Sequence, residues 1–212
     1  MAGRRSWQEE GAGAVAVQEG SLGSRWHQAF MDTLRHGSAA AAMRDAAVSA
    51  RLAPWTEVLT SVVVQTCESL GWRAAAKGHR MEAFPEAQSE YLTIDVTAFP
   101  SAVTKWAPVA AAIELENSRK DDRIGYSLWK VLHVRAALRA IYCYRPDPEE
   151  GAPLVRYLNE SVIGSLPLDS LRTVHGQTYV VVGYRNAAET FPDGFFRWWS
   201  LNTNTASFEL LK

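Results

Sequence analysis

A chain of 212 residues with 47% hydrophobic side chains is long enough to bury one core and too apolar for a disordered segment. Its formal net charge of −1 argues against a dedicated, sequence-independent nucleic-acid binder, which would be basic. It leaves room for a nuclease, which mixes acidic metal ligands with basic phosphate contacts. No apolar run approaches the roughly 18 residues of a membrane helix, so no membrane association is expected.

The opening MAGRRSWQEEGAGAVAVQEG carries two arginines but not the apolar stretch of a secretory signal. Residues 1–24, rich in Gly, Ala and Glu, are expected to form a flexible N-terminal segment, with a single α/β domain over 25–212. RWHQAFMDTLRHG predicts a short helix stopped by Gly37, and SAAAAMRDAAVSARLA a second with Ser38 as its cap. Pro54 ends that helix and opens a third, WTEVLTSVVVQTCESLG, which stops at Gly71.

The pattern then changes to a period of two. YLTIDVTAF (91–99) places Leu92, Ile94, Val96 and Ala98 on one face and Thr93, Asp95 and Thr97 on the other. PVAAAIELEN (108–117) places Val109, Ala111, Ile113 and Leu115 on one face and Ala110, Ala112, Glu114 and Glu116 on the other. RIGYSLWKVLHVRAAL is an amphipathic helix and RAIYCY a strand, ended by the turn-rich RPDPEEGAP. A helix, PLVRYLNESVIGSL, follows, and the chain closes on strand material: TYVVVGYRN, FPDGFFRWWSLN and ASFELL, with Pro-Asp-Gly suggesting a hairpin. This order predicts an α/β domain around a mixed sheet, with an N-terminal helical segment.

Glu114 and Glu116 share a sheet face because they stand two apart. If the strand carrying Asp95 is a neighbour, three carboxylates converge, and their repulsion and desolvation call for a divalent cation. Hard oxygen donors without a Cys/His cluster favour Mg²⁺ or Mn²⁺ over zinc. Taken alone, Glu-x-Glu on a strand reads more simply as a solvated face or a pair of ion-pair partners.

An Asp on one strand, Glu-x-Lys on the next, then a helix and a further strand is the core of the PD-(D/E)XK nuclease superfamily, the restriction-endonuclease-like fold. Residues 55–145 resemble that core: YLTIDVTAF supplies Asp95, AAIELEN supplies Glu114, and RIGYSLWKVLHV and RAIYCY follow as helix and strand. The chain departs from the pattern at the Lys position, which holds Glu116, and no Pro precedes Asp95. Some members carry Glu-x-Glu; in others the Lys has moved to the following helix, where this chain offers Lys130, on a stripe with Arg123 and Ser127. Lys120 in the connecting loop is a further candidate.

The resemblance implies a metal-dependent nuclease, most simply a DNA endonuclease of restriction, repair or phage defence, acting as a homodimer or within a protein complex. Asp95, Glu114 and the backbone carbonyl of Leu115 would hold Mg²⁺ or Mn²⁺, with Glu57 on the preceding helix as an extra acid. Glu116 would take a second ion or orient water, Lys130 would stabilise phosphoryl charge, and Asn117 and Arg123 would position the nucleic-acid backbone. The alternative is a catalytically inactive member of the fold serving as a binding or assembly module, which Glu116 in the Lys position favours.

Other features carry less. His27, His79, His133 and His175 stand apart from one another, without a partner at ligand spacing. Cys67 and Cys143 lie in apolar segments and are expected to be reduced core residues of a cytoplasmic protein, not nucleophiles. FFRWW (195–199) puts aromatic rings on both faces of a strand, which predicts that one face meets another surface, a protein partner before stacked bases. No Gly-rich phosphate loop and no G-x-S-x-G elbow occur, which sets aside nucleotide and serine hydrolases.

Overall fold

The computed structural model describes residues 20–49, 52–81, 90–102 and 105–211. Of the expected flexible segment 1–24, positions 1–19 lie outside the described residues. Helix α1, Leu22–His36, begins ahead of the expected Arg25, because Ser21 caps it by accepting a hydrogen bond from the Ser24 N–H. Helix α2, Ala40–Ser49, and helix α3, Leu52–Ser69, follow. The Met43 N–H bonds to the Ala39 carbonyl, so Ala39, not Ser38, occupies the cap of α2.

Among the described residues seven strands form one sheet in chain order: β1 (Trp72–Ala76), β2 (Val96–Pro100), β3 (Ala111–Leu115), β4 (Leu138–Arg145), β5 (Gln177–Tyr184), β6 (Phe196–Asn202) and β7 (Ser207–Leu210). The first three are an antiparallel meander. Strands β3, β4 and β5 run parallel, and β6 and β7 return antiparallel. The β3–β4 crossover is helix α4, Asp121–Leu132. The β4–β5 crossover is helix α5, Pro148–Tyr157, widening into a π-helical stretch, Leu158–Ile163, and then helix α6, Leu168–Arg172. Strand β4 is buried at every position, as a central strand covered on both faces must be.

The helices divide between the two faces. Helices α1 to α3 pack Trp26, Phe30, Met43, Leu59 and Val63 against Val96, Ile113, Ala140, Tyr142 and Trp198. Helices α4 and α5 and the π-helical stretch pack Ile124, Leu128, Leu154 and Ile163 against Ala112, Ile141, Cys143, Val180 and Trp199. The expected mixed α/β sheet flanked by helices is therefore present.

Several local expectations change. The segment before β2 is a 3₁₀ turn, Tyr91–Thr93, with Leu92 and Thr93 at positive φ. That turn breaks the period of two, so Leu92 is exposed and Ile94 packs on the sheet face opposite Val96. Val109 likewise packs against the Ala112 side, because the ladder of β3 begins only after it. RPDPEEGAP is largely helix: Asp147 caps α5 by accepting from the Glu150 N–H, Pro148 opens it, and Glu149 and Glu150 sit at its positive end. A 3₁₀ stretch, Arg185–Thr190, lengthens the β5–β6 connection beyond a tight hairpin. The FFRWW rings are core, not interface: Phe195, Phe196, Trp198 and Trp199 are all buried, because helices cover both faces of β6.

In the centre of the first layer the Trp26 Nε1–H donates to the buried Tyr142 hydroxyl at 3.2 Å. Tyr142→Phe should orphan that buried N–H and destabilise the chain by about 1–3 kcal/mol, read from urea unfolding with an unchanged m-value. A variant as stable as wild type would show that the bond contributes nothing.

Candidate active site at the end of β3

The register of β2 against β3 pairs Val96 with Ile113, so Asp95 stands directly across from Glu114, one step past the last ladder pair. Directly opposed residues of an antiparallel pair share a face, which brings the two side chains together. They also tie the strands: Asp95 Oδ2 accepts the Leu115 N–H at 2.8 Å, and the Asp95 N–H donates to the Glu114 carboxylate. Helix α4 crosses this face, held at its start by an ion pair from buried Arg145 at the end of β4 to Asp121. Its stripe of Ser127 and Lys130 faces the strand end, as the spacing predicts. Lys130 Nζ lies 2.8 Å from Glu114 Oε1 and donates to the Thr93 carbonyl at 2.7 Å.

The electrostatics follow from burial. The Glu114 side chain is 6% exposed. Desolvation, reinforced by the neighbouring Asp95 charge, pushes its carboxyl up to about 7 against the pull of Lys130 and the Asp95 N–H. Desolvation also raises Asp95, opposed by the Leu115 N–H and by Lys130.

The remaining predicted residues are placed differently. Glu116, one residue past the end of β3, still lies on the α4 side of the sheet, its N–H bonded to the Tyr142 carbonyl at 2.8 Å; its oxygens accept from the Ser118 N–H at 2.7 Å and from the Ser127 hydroxyl at 3.3 Å. Glu116 thus anchors the loop to α4, although its charge still reaches Asp95. Among the described residues no group of three or more His, Cys, Asp or Glu side chains is placed to hold a metal ion. The expected convergence of three carboxylates is reduced to two. Glu57 is exposed on α3, and no hydrogen bond or ion pair among the described residues ties its side chain to Asp95 or Glu114. Asn117 is bound to α3 instead, its amide donating to Thr56 Oγ1 at 2.7 Å. Arg123 and Lys120 are exposed. His79 is a loop residue 3.4 Å from the Ser61 hydroxyl. Cys67 and Cys143 are buried free thiols, both raised by desolvation, Cys143 to about 12.

The donor set suits a hard divalent cation. Among the described residues Glu114 Oε1, buried and ion-paired with Lys130, has no aligned hydrogen-bond donor, and Asn117 Oδ1, at the same end of β3, is buried without one as well. Asp95 and Glu114 with the Leu115 carbonyl are the oxygens that would hold such an ion. The links made by the Thr93 carbonyl, the Ser118 N–H and Thr56 are the parts of this site that the strand and helix periods do not reveal. They depend on the 3₁₀ turn, on the exit of β3 and on how α3 docks.

Compared with family models, with curated proteins and with solved structures, the chain finds no match in any of the three.

The raised Glu114 carboxyl fixes a sign for pH dependence. A carboxyl held near 7 when folded and near 4.5 when unfolded keeps its proton preferentially in the native state. Its contribution to stability is full below about 4.5 and is lost as pH rises through about 7. The loss is on the order of 3 kcal/mol. Glu114→Gln should remove this dependence, so the variant gains on wild type between pH 5 and pH 8 in urea unfolding. Parallel pH curves for the two proteins would contradict the burial of an ionisable Glu114.

Proposed function

We propose that the chain is a metal-dependent nuclease that hydrolyses phosphodiester bonds, a DNA endonuclease of the PD-(D/E)XK type serving restriction, repair or phage defence. One observation carries this reading: Asp95 and Glu114 face each other across β2 and β3, with Lys130 of the next helix set against Glu114. The order α3, β1, β2, β3, α4, β4, with its antiparallel meander and parallel crossover, supports it. The migrated lysine answers the departure at Glu116.

A bound Mg²⁺ or Mn²⁺ would supply Lewis acidity, acidifying water and neutralising phosphoryl charge. The chain's own groups do the rest. Asp95, Glu114 and the Leu115 carbonyl position the reaction centre. Lys130, fixed by the Thr93 carbonyl, places a cation where negative charge grows on the phosphate. Glu116 is the nearby carboxylate able to take a proton from the attacking water as the P–O bond to the leaving group breaks. Exposed Arg119, Lys120 and Arg123 flank the start of α4 and suit contacts to a nucleic-acid backbone. The two free, buried cysteines accord with a reducing, cytoplasmic setting. Among the described residues no helix is long and apolar enough to cross a membrane. A homodimer or a larger complex would bring a second cutting site to the other strand.

One observation favours a second reading. Lys130 already neutralises Glu114, and Glu116 is engaged elsewhere, as in a site that has given up its ion and serves binding or assembly.

Metal binding separates the two. Mn²⁺ should raise the melting temperature of wild type but not of Asp95→Ala, more strongly at pH 8 than at pH 6, where Glu114 competes for a proton. Asp95→Ala and Glu114→Ala should abolish cleavage of DNA, while Lys130→Ala slows it roughly 100-fold or more and spares metal binding. Undiminished cleavage by either carboxylate variant would remove the site assignment. Absence of both a Mn²⁺ response and cleavage would leave the binding module as the better reading.

A further inference from the structure

A cavity of roughly 500 Å³ lies where the end of α4, the start of β4 and helix α6 meet. Its polar lining is Arg135, Arg139, His133, His175, Ser170 and Thr173, and among the described residues no carboxylate contributes to it. Arg139 is 3% exposed. Its Nε donates to the Val134 carbonyl at 2.9 Å and its Nη1 to the His175 carbonyl at 2.8 Å. Among the described residues no Asp or Glu pairs with it, and burial alone pulls its pKa below the usual arginine range.

Two backbone carbonyls satisfy hydrogen bonds but not a full charge. A buried cation without a counter-ion is costly, and a second guanidinium beside it adds to the cost. Arg145, the other buried arginine, is paired with Asp121 and shows the ordinary solution in this same molecule. The cavity is also rigidly made. Gly176 sits at φ +87°, and a Cβ there would lie 2.2 Å from the Ala137 carbonyl oxygen, so the turn carrying His175 is locked against the start of β4. The Gln177 N–H closes it onto the same carbonyl at 2.9 Å.

We infer that this cavity is a phosphate-binding site, with Arg139 and Arg135 supplying charge and the Ser170 hydroxyl supplying a donor to a phosphoryl group, the Thr173 hydroxyl being already given to the Ser170 carbonyl at 2.7 Å. Arginine forks suit phosphate oxygens in charge-assisted pairs. His133 donates its Nδ1–H to the Trp129 carbonyl at 2.8 Å, which fixes the ring at the edge of the cavity. The His133 ring also contacts Trp129 at 4.3 Å, and Trp129 stacks on Tyr126 at 6.0 Å, both rings partly exposed on the outer face of α4. A phosphate bound beside this aromatic row can carry a base stacked upon it, so a nucleotide or a nucleic-acid end is the class of ligand that uses both features. The inference does not rest on the nuclease reading; it uses residues past the end of α4, at the start of β4 and on α6.

The test is calorimetric titration at low salt with inorganic phosphate, a 5′-phosphorylated single-stranded oligonucleotide and the same strand without its phosphate. Wild type and Asp95→Ala should bind phosphate alike, whereas Arg135→Ala and Ser170→Ala, both at exposed positions, should each bind about tenfold more weakly. Tighter binding of the phosphorylated strand than of phosphate, lost in Trp129→Ala, would identify the ligand as a nucleic-acid end. Equal binding would identify a small phosphate compound at the same site. No heat with any phosphate ligand, or affinity unchanged in both cavity variants, would overturn the inference.

Discussion

The arrangement turns on a single carboxylate buried at the end of a strand. Glu114 lies in the sheet face covered by α4, where its charge loses nearly all of its hydration. Lys130 answers that loss from the helix above, and the Asp95 N–H answers it from the strand beside. Each partner is placed by a different element, so α4, β2 and β3 must all be seated before the charge is tolerable. Removing one partner of such a buried pair is costlier than never forming it, by about 3–5 kcal/mol. A fold that needed only a core would have put an aliphatic side chain there, as it did at Ile141 and Val180 on the neighbouring strands in the same register.

Much of this was legible in the sequence, and the residues show why. The alternation in AAIEL separates Ile113 and Leu115 from Ala112 and Glu114 by a rule that burial on two faces does not disturb. The stripe of Ser127 and Lys130 follows from 3.6 residues per turn and met the strand end as expected. What failed lies where periods stop. Two left-handed residues, Leu92 and Thr93, turn the chain before β2, and Glu116 stands one residue past the end of β3, its carboxylate taken up by the Ser118 N–H. Glu57 met no partner because one step along a helix rotates a side chain by about 100°, and it was Thr56 that turned to the strand end. The Asp-Pro start of α5 was a helix signal read as a turn: Asp147 and Pro148 suit either.

Helix α4 is the common thread of the chemistry. Its inner stripe packs Ile124, Leu128 and Val131 on the sheet. One flank carries Lys130 to the carboxylates, and its end carries His133 to a basic cavity built around Arg139. Two unusual buried charges, one negative and one positive, thus lie on the same sheet face: Arg139 pairs with Ala112 in the β3–β4 ladder, two residues before Glu114. The first charge has a lysine as its counter-ion. The second has none among the described residues, and that asymmetry separates the proposed cation site from the proposed anion site.

The proposed nuclease reading requires a divalent cation to bind between Asp95 and Glu114, where Lys130 now contacts Glu114. The most direct measurement is anomalous diffraction from crystals soaked in Mn²⁺ at pH 8. An anomalous peak between the Asp95 and Glu114 carboxylates, with Lys130 drawn away from Glu114, is the result this account predicts. Full soaking with no peak there, and the Lys130–Glu114 pair unchanged, would contradict it.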